Sequence, residues 1–329
     1  MAKTIHFGLS LDLIQLDHQE PNRNRRESKY FWDELFTLIP AAGFRGIELP
    51  YQPKWDFGGR SGIPLSQYAI RTKYGSVARF KAMLESNGIE KIAGIYFNPS
   101  LFISENQDAY FGAFGHFAGQ AVEFCAEAEA GVLTLTPTPF GGLVRHYLGQ
   151  NTDWSMVKTD FLKRTADLIN RLAEQAADSG VVIAIKREYW SLLRETGFDD
   201  FLKHLDPRIR LNIDTAHAQI AGNDPVRQIT AAAERIGSIH FTDTAFVDET
   251  RVWQGKNPEF PTLAATQIFR DLGQGNVDLA AAYQALQDLD YDGWVICSCR
   301  QTRDAMRAML RTRRVVDRIR KGEKGGALA

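Results

Sequence analysis

Eight times along this chain a short run rich in β-branched and apolar residues is followed by an amphipathic helical stretch, and this alternation restricts the fold more than any other feature. The strand-like runs are 5–10, 46–51, 91–97, 132–137, 181–188, 210–215, 238–243 and 294–299. Their nearly continuous apolar character fits strands covered on both faces, as in a parallel sheet. The helical stretches are 30–42, 76–87, 108–130, 153–179, 199–205, 224–235, 277–289 and 301–321. The first places Phe31, Leu35, Leu38 and Ile39 on one face, and the next three stop at Gly88, Gly131 and Gly180, glycine being the natural helix terminator. Eight such units with short returns predict a single α/β domain over residues 1–329, a (β/α)8 TIM barrel. A doubly wound sheet is the competing architecture. It fits less well because no glycine-rich turn follows the first strand, which runs on into LDLIQLDH. The links after strands (52–74, 98–107, 139–152 and 244–276) are long, so the chain is elaborated at the C-terminal face of the barrel, where such folds keep their sites.

Composition removes several classes of function. The 39 basic and 40 acidic side chains leave no cationic excess for nucleic acid. No apolar run approaches the roughly 20 residues of a membrane span. The opening MAKTIHFGLSLDL reads as a strand rather than a secretory leader, and three cysteines, an odd number, suit a reducing cytoplasm. Cys297 and Cys299 are too closely spaced for a zinc pair. The arginines at 303, 307, 311, 314 and 318 read as a solvated helix face or a subunit contact, and the run Asn22–Arg26 is expected to reach across the barrel mouth or toward a partner subunit.

Polar residues near the ends of apolar strands, in the phase that faces inward, mark the candidate site. Lys186 and Glu188 share a face, as do Asn212 and Asp214, His240 and Thr242, and Ile296, Ser298 and Arg300. A charge inside a strand that reads VVIAI is costly unless paired, and that cost makes Lys186, Asp214 and His240 candidates. Glu48 on the second strand either lines the pocket or pairs with an arginine; Ser298 and Cys299 read as packing residues. The aromatics Tyr51, Trp55, Phe57, Tyr96 and Phe97 floor a sugar site or pack loops. Arg145, His146, Arg251, Trp253 and Lys256 lie in links that would clamp a hydroxyl-rich or anionic ligand.

The segments GIEL, LNIDTAHA, SIHFTDT, LGQGNVDLAAAYQAL and YDGWVI, in this order, resemble the sugar phosphate isomerase/epimerase superfamily of xylose-isomerase-like barrels, which includes D-tagatose 3-epimerase, hydroxypyruvate isomerase and inosose dehydratase. The resemblance implies one divalent metal held by Glu, Asp, His and Glu from strands five to eight, the glutamates also moving the proton. It carries the Asp onto Asp214, the His onto His240 and a substrate-contacting histidine onto His217. Two positions depart from the pattern: Lys186 stands where the fifth-strand glutamate is expected, and Ser298 where the eighth-strand one is. An ammonium in place of a carboxylate changes the local charge by two and repels a cation. The expectation is therefore that Lys186 fills the metal's place with Asp214 as counter-ion. If a divalent ion (Mn, Mg or Zn) is bound after all, Asp214, His240 and Glu188 would be its ligands.

The resemblance implies an isomerase or epimerase of a sugar or polyol, working by proton abstraction next to a carbonyl. Lys186 and His240 are expected to handle the proton, with Lys186 acting as base if its apolar strand lowers its pKa, or as an enolate-stabilising ammonium. Asp214 would orient Lys186, and His217, Glu188, Glu48, Arg145 and Trp253 would bind substrate. A keto-sugar lyase with the same first step and a non-catalytic sugar-binding barrel are the alternatives. A DNA-repair nuclease is not, since seven histidines cannot supply its three-zinc ligand set. A homo-oligomer is expected by analogy with relatives.

Overall fold

The computed structural model describes residues 4–14, 28–53, 65–149, 153–194, 197–259 and 267–323. Trp55, Phe57 and the run Asn22–Arg26 lie outside these. Strands β1 (Ile5–Ser10), β2 (Gly46–Pro50), β3 (Lys91–Phe97), β4 (Val132–Leu135), β5 (Val182–Lys186), β6 (Arg210–Asp214) and β7 (Ile236–Phe241) run parallel. A short antiparallel pair follows, β8 (Asp243–Thr244) with β9 (Phe269–Arg270), and then β10 (Gly293–Cys297). β10 pairs with both β7 and β1, so the eight long strands close into a barrel in the order β1-β10-β7-β6-β5-β4-β3-β2. The fold expected from the alternation is the one present.

Alternation along each strand gives the barrel two unlike surfaces. Ile183, Ile185, Leu133, Leu135 and Ile239 are buried among apolar neighbours. The other phase carries Ser10, Glu48, Tyr96, Thr134, Lys186, Asn212, Asp214, Ser238 and His240, all buried as well. Such groups are tolerated only when they satisfy one another. Thr134 and Ser238 are joined at 3.1 Å, and the Asn212 amide donates to Ser238 Oγ at 2.8 Å. Glycine is required at 237, where a Cβ would lie 2.6 Å from that of Arg210 and 3.0 Å from that of Ala184.

The outer helix Trp154–Ser179 shows how sequence sets the jacket. Asp153 accepts from the Ser155 amide at its start, and Gly180, at φ 68°, ends it in the left-handed conformation. Phe161, Leu162, Ala166, Ile169, Leu172, Ala173 and Ala176 recur every three or four residues on its buried face, the larger side chains contributing about 1.5–3 kcal/mol each. Tyr110 of the helix Gln107–Glu127 stacks on Phe161 at 5.4 Å.

Two sequence expectations are corrected. The fifth strand ends at Lys186, so Glu188 lies just past it, and the seventh starts at Ile236, two residues earlier than read. The links after strands carry structure of their own: 52–74 and 139–152 hold the helices Gln67–Tyr74 and Gly141–Leu148, the turn directly after β6 forms the helix Thr215–Ile220, and the chain after β7 forms the β8–β9 pair. Ser66 caps the first of these through the Ala69 amide, and Asp214, the last residue of β6, caps the third through the His217 amide. Among the described residues no helix is long and apolar enough to cross a membrane.

Candidate active site

Four strands converge on one buried ionic chain. The Lys186 ammonium at the end of β5 lies 3.0 Å from Asp214 Oδ2 on β6 and 3.2 Å from His240 Nδ1 on β7. His240 Nε2 lies 2.8 Å from Glu48 Oε2 on β2, and Ser10 Oγ at the end of β1 donates to Glu48 Oε1 at 2.9 Å. A protonated lysine only donates, so His240 Nδ1 accepts and Nε2 carries the proton that it gives to Glu48. The Lys186–Asp214 approach is off the hydrogen-bonding direction, so that contact is Coulombic. The other Asp214 oxygen accepts from the Thr242 hydroxyl and from the His217 amide.

Lys186 points into the barrel, its ammonium 5.1 Å from the Tyr96 ring centroid. Burial works to neutralise it, but Asp214, Tyr96 and Glu188 together outweigh burial and raise its pKa. The expectation that an apolar strand turns Lys186 into a base is thereby corrected: the strand is apolar along its length, but Asp214 on the adjacent β6 and Glu188 just past β5 place carboxylates around the ammonium. Asp214 shifts the opposite way. Burial opposes its charge, yet Lys186, His217 and His240 hold its pKa well below the usual carboxylate range.

Glu188 is turned away from Asp214 and His240. Its Oε1 accepts from the Tyr96 hydroxyl at 2.9 Å and lies 3.7 Å from Arg300 Nη1, while Arg300 Nη2 lies 2.7 Å from Glu259 Oε1. Burial opposes the charge of Glu188, but Arg300, His217 and Lys186 overcome it and the pKa falls. His217 Nδ1 accepts from the Tyr189 amide at 3.1 Å, which leaves the proton on Nε2. That Nε2 is buried and has no partner among the described residues. Burial brings the His217 pKa down to about 4, so the ring is neutral near pH 7.

This last shift predicts a pH effect on stability. An unfolded histidine takes up a proton below pH ~6.5, whereas folded His217 does so only near pH 4. Between these values the unfolded state binds more protons, so stability falls as pH drops from ~6.5 toward 4. Thermal melts of wild type and of His217→Asn, which keeps an acceptor for the Tyr189 amide, test this; the decline is expected to be markedly shallower in the variant.

Not every sequence candidate joins this cluster. Arg145 is exposed, its guanidinium 4.8 Å from the Trp154 ring. Trp253 is buried in a separate apolar cluster with Tyr189, Trp190, Ala216, Ile220, Ile268 and Phe269, with Arg194 over its ring. His146 lies 3.4 Å from Lys256. The reason is local: the helix Gly141–Leu148 turns Arg145 outward, and Trp253 closes a hydrophobic gap under the link. Ser298 is not merely packing, since its hydroxyl donates to Asp12 Oδ2 at 2.7 Å. Asp12 was missed as a member of the site, whereas Arg300 was read only as sharing a face with Ser298 and Tyr96 only as an aromatic ring. Asp12 sits two residues from Ser10, the last residue of β1, and that spacing was the signal available.

The divalent ion that the resemblance implies does not fit this donor set. The two atoms it would claim, Asp214 Oδ2 and His240 Nδ1, already face the Lys186 ammonium. A divalent ion ~4 Å from that charge is repelled by roughly 8 kcal/mol at an effective dielectric near 20. Among the described residues no group of three or more His, Cys, Asp or Glu side chains is disposed to hold a metal.

Comparison with known proteins gives this geometry a setting. The family model described as "Xylose isomerase-like TIM barrel" matches residues 36–319. An inosose dehydratase of Lacticaseibacillus casei is 27% identical over 146 residues, 43% of this chain and 48% of that protein. An L-ribulose 3-epimerase of Methylomonas sp. (strain DH-1) is 29% identical over 130 residues, 38% of this chain and 37% of that protein. These matches thus span half the length of those relatives or less. Among solved structures, a probable 3-DHS dehydratase, AsbF, from Bacillus anthracis superposes with a TM-score of 0.65 at 15% identity, covering 95% of this chain and 98% of that one, a likeness of fold alone.

Proposed function

We propose, from the premise that this chain belongs to the family of xylose isomerase-like TIM barrels, that it is an isomerase or epimerase of a sugar or polyol acting by proton transfer next to a carbonyl without a divalent ion. The observation that carries this reading is a carboxylate kept ionised, Glu188, on the same barrel mouth as one buried cation, Lys186, and one half-buried cation, Arg300. That is a base beside positive charge. A keto-polyol needs both, because its carbon acid is far too weak unless the enolate oxygen meets fixed positive charge as it forms.

The residues divide the work by their contacts. Glu188 takes the proton from the carbon next to the carbonyl. Lys186, locked by Asp214 and His240, stabilises the enolate oxygen as an ammonium. Glu48 fixes the His240 tautomer from behind. The unpartnered Nε2–H of His217 donates to a substrate hydroxyl or carbonyl oxygen, which satisfies an otherwise costly buried donor. Inosose dehydratase relatives favour a second reading, in which the same enolate expels a hydroxyl from the neighbouring carbon.

Incubation with a panel of ketoses and inososes in D₂O tests the shared first step. Substrate-dependent loss of one C–H signal is expected, and an exchanged but uncleaved, undehydrated product separates the isomerase from the lyase. No exchange with any of the panel contradicts both.

A further inference from the structure

A second carboxyl group faces the barrel mouth and has no task in the scheme above. Asp12 follows β1 by two residues, in a one-turn 3-10 helix, Leu11–Ile14. Its Oδ2 accepts from Ser298, just beyond β10, and its backbone amide lies 3.4 Å from Ser10 Oγ. Its Oδ1 is shut off from solvent yet has no hydrogen-bond partner among the described residues. The charges that act on it are Arg300, Lys186 and Glu48, all groups of the mouth. In the strand order β1 lies four positions from β5 by either route, so Asp12 and Glu188 stand on opposite walls.

We propose that Asp12 is a catalytic acid of this site, giving its proton to the substrate from the wall opposite Glu188. The inference rests on the function proposed above and adds the group that completes the reaction. Burial favours the neutral form of Asp12 and prevails over Ser298, Arg300 and Lys186, which favour its anion; its pKa rises while that of Glu188 falls. Two carboxyl groups driven apart in this way divide into an acid and a base. The balance of the cycle is simple. Glu188 accepts the proton of the C–H bond, whose electron pair moves to the carbonyl oxygen as an enolate. The O–H bond of Asp12 then breaks as a new C–H bond forms on the other face, and the carbonyl is restored. Solvent removes the proton from Glu188 and returns one to Asp12.

Asp12→Asn preserves shape and an acceptor for Ser298, which makes it the variant to test in D₂O with whichever keto-polyol wild type converts. Net conversion is expected to drop roughly 10²–10⁴-fold while deuterium wash-in to recovered substrate, driven by Glu188, persists. Asp12→Glu, which keeps the acid, should recover part of the conversion, and Ser298→Ala should lose less than Asp12→Asn. Wild-type conversion by Asp12→Asn, or loss of wash-in and conversion by one common factor, overturns the role of Asp12 alone. A natively folded Asp12→Glu with no recovery does the same if Asp12→Asn fails to fold. Absence of wash-in by wild type with every compound overturns both this role and the function it rests on.

Discussion

Replacing Lys186 with methionine is expected to cost about 3–5 kcal/mol of folding stability and roughly 10²–10³-fold of turnover. The first figure follows from what remains: Asp214, almost wholly buried, loses the cation 3.0 Å away that keeps it ionised. A buried charge without its partner destabilises more than the pair ever contributed. The double substitution Lys186→Met with Asp214→Asn removes both charges and leaves an acceptor for the Thr242 hydroxyl and the His217 amide, so it should regain most of the stability. It should not regain turnover, because no positive charge has returned to the enolate. Denaturant melts and steady-state rates on the two variants separate these effects. If turnover recovers together with stability, Lys186 is a structural residue only.

Glu188→Gln should abolish both net conversion and deuterium wash-in, by roughly 10²–10⁴-fold, with little change in melting temperature. Glutamine is isosteric and still accepts from the Tyr96 hydroxyl, so the wall of the site is preserved while the base is gone. The comparison with Asp12→Asn is informative because only one of the two variants should retain exchange. Wash-in at the wild-type rate in Glu188→Gln would assign the base to another residue.

The barrel was legible because its signal is local and repeated: each strand and each helix stop is written in consecutive residues. Lys186, Asp214 and His240 were legible for a related reason, being polar residues embedded in apolar strands at the inward phase. The charge state of Lys186 was not. Along the chain its preceding neighbours are Ile185, Ala184 and Ile183, which argue for a lowered pKa, but Asp214 on β6 and Tyr96 on β3, with Glu188 two residues on, raise it. Asp12 was read as a continuation of β1, and its partner Ser298 lies 286 residues away, so no window along the chain contains the contact. Arg145 and Trp253 were chosen because long links after strands carry function, yet a helix turns one outward and an apolar cluster absorbs the other. Tyr96 was weighed as a stacking ring, whereas its hydroxyl reaches Glu188, Thr136 and Asn98.

The fifth-strand ammonium is proposed to stand where the resemblance expects a divalent ion. Elemental analysis of the full chain after equilibration with Mn²⁺, Mg²⁺ and Zn²⁺ and removal of excess ion tests this most directly. No stoichiometric ion is expected in wild type, with carbon-acid exchange unaffected by chelator. A stoichiometric ion that disappears in both Asp214→Asn and His240→Ala would contradict it.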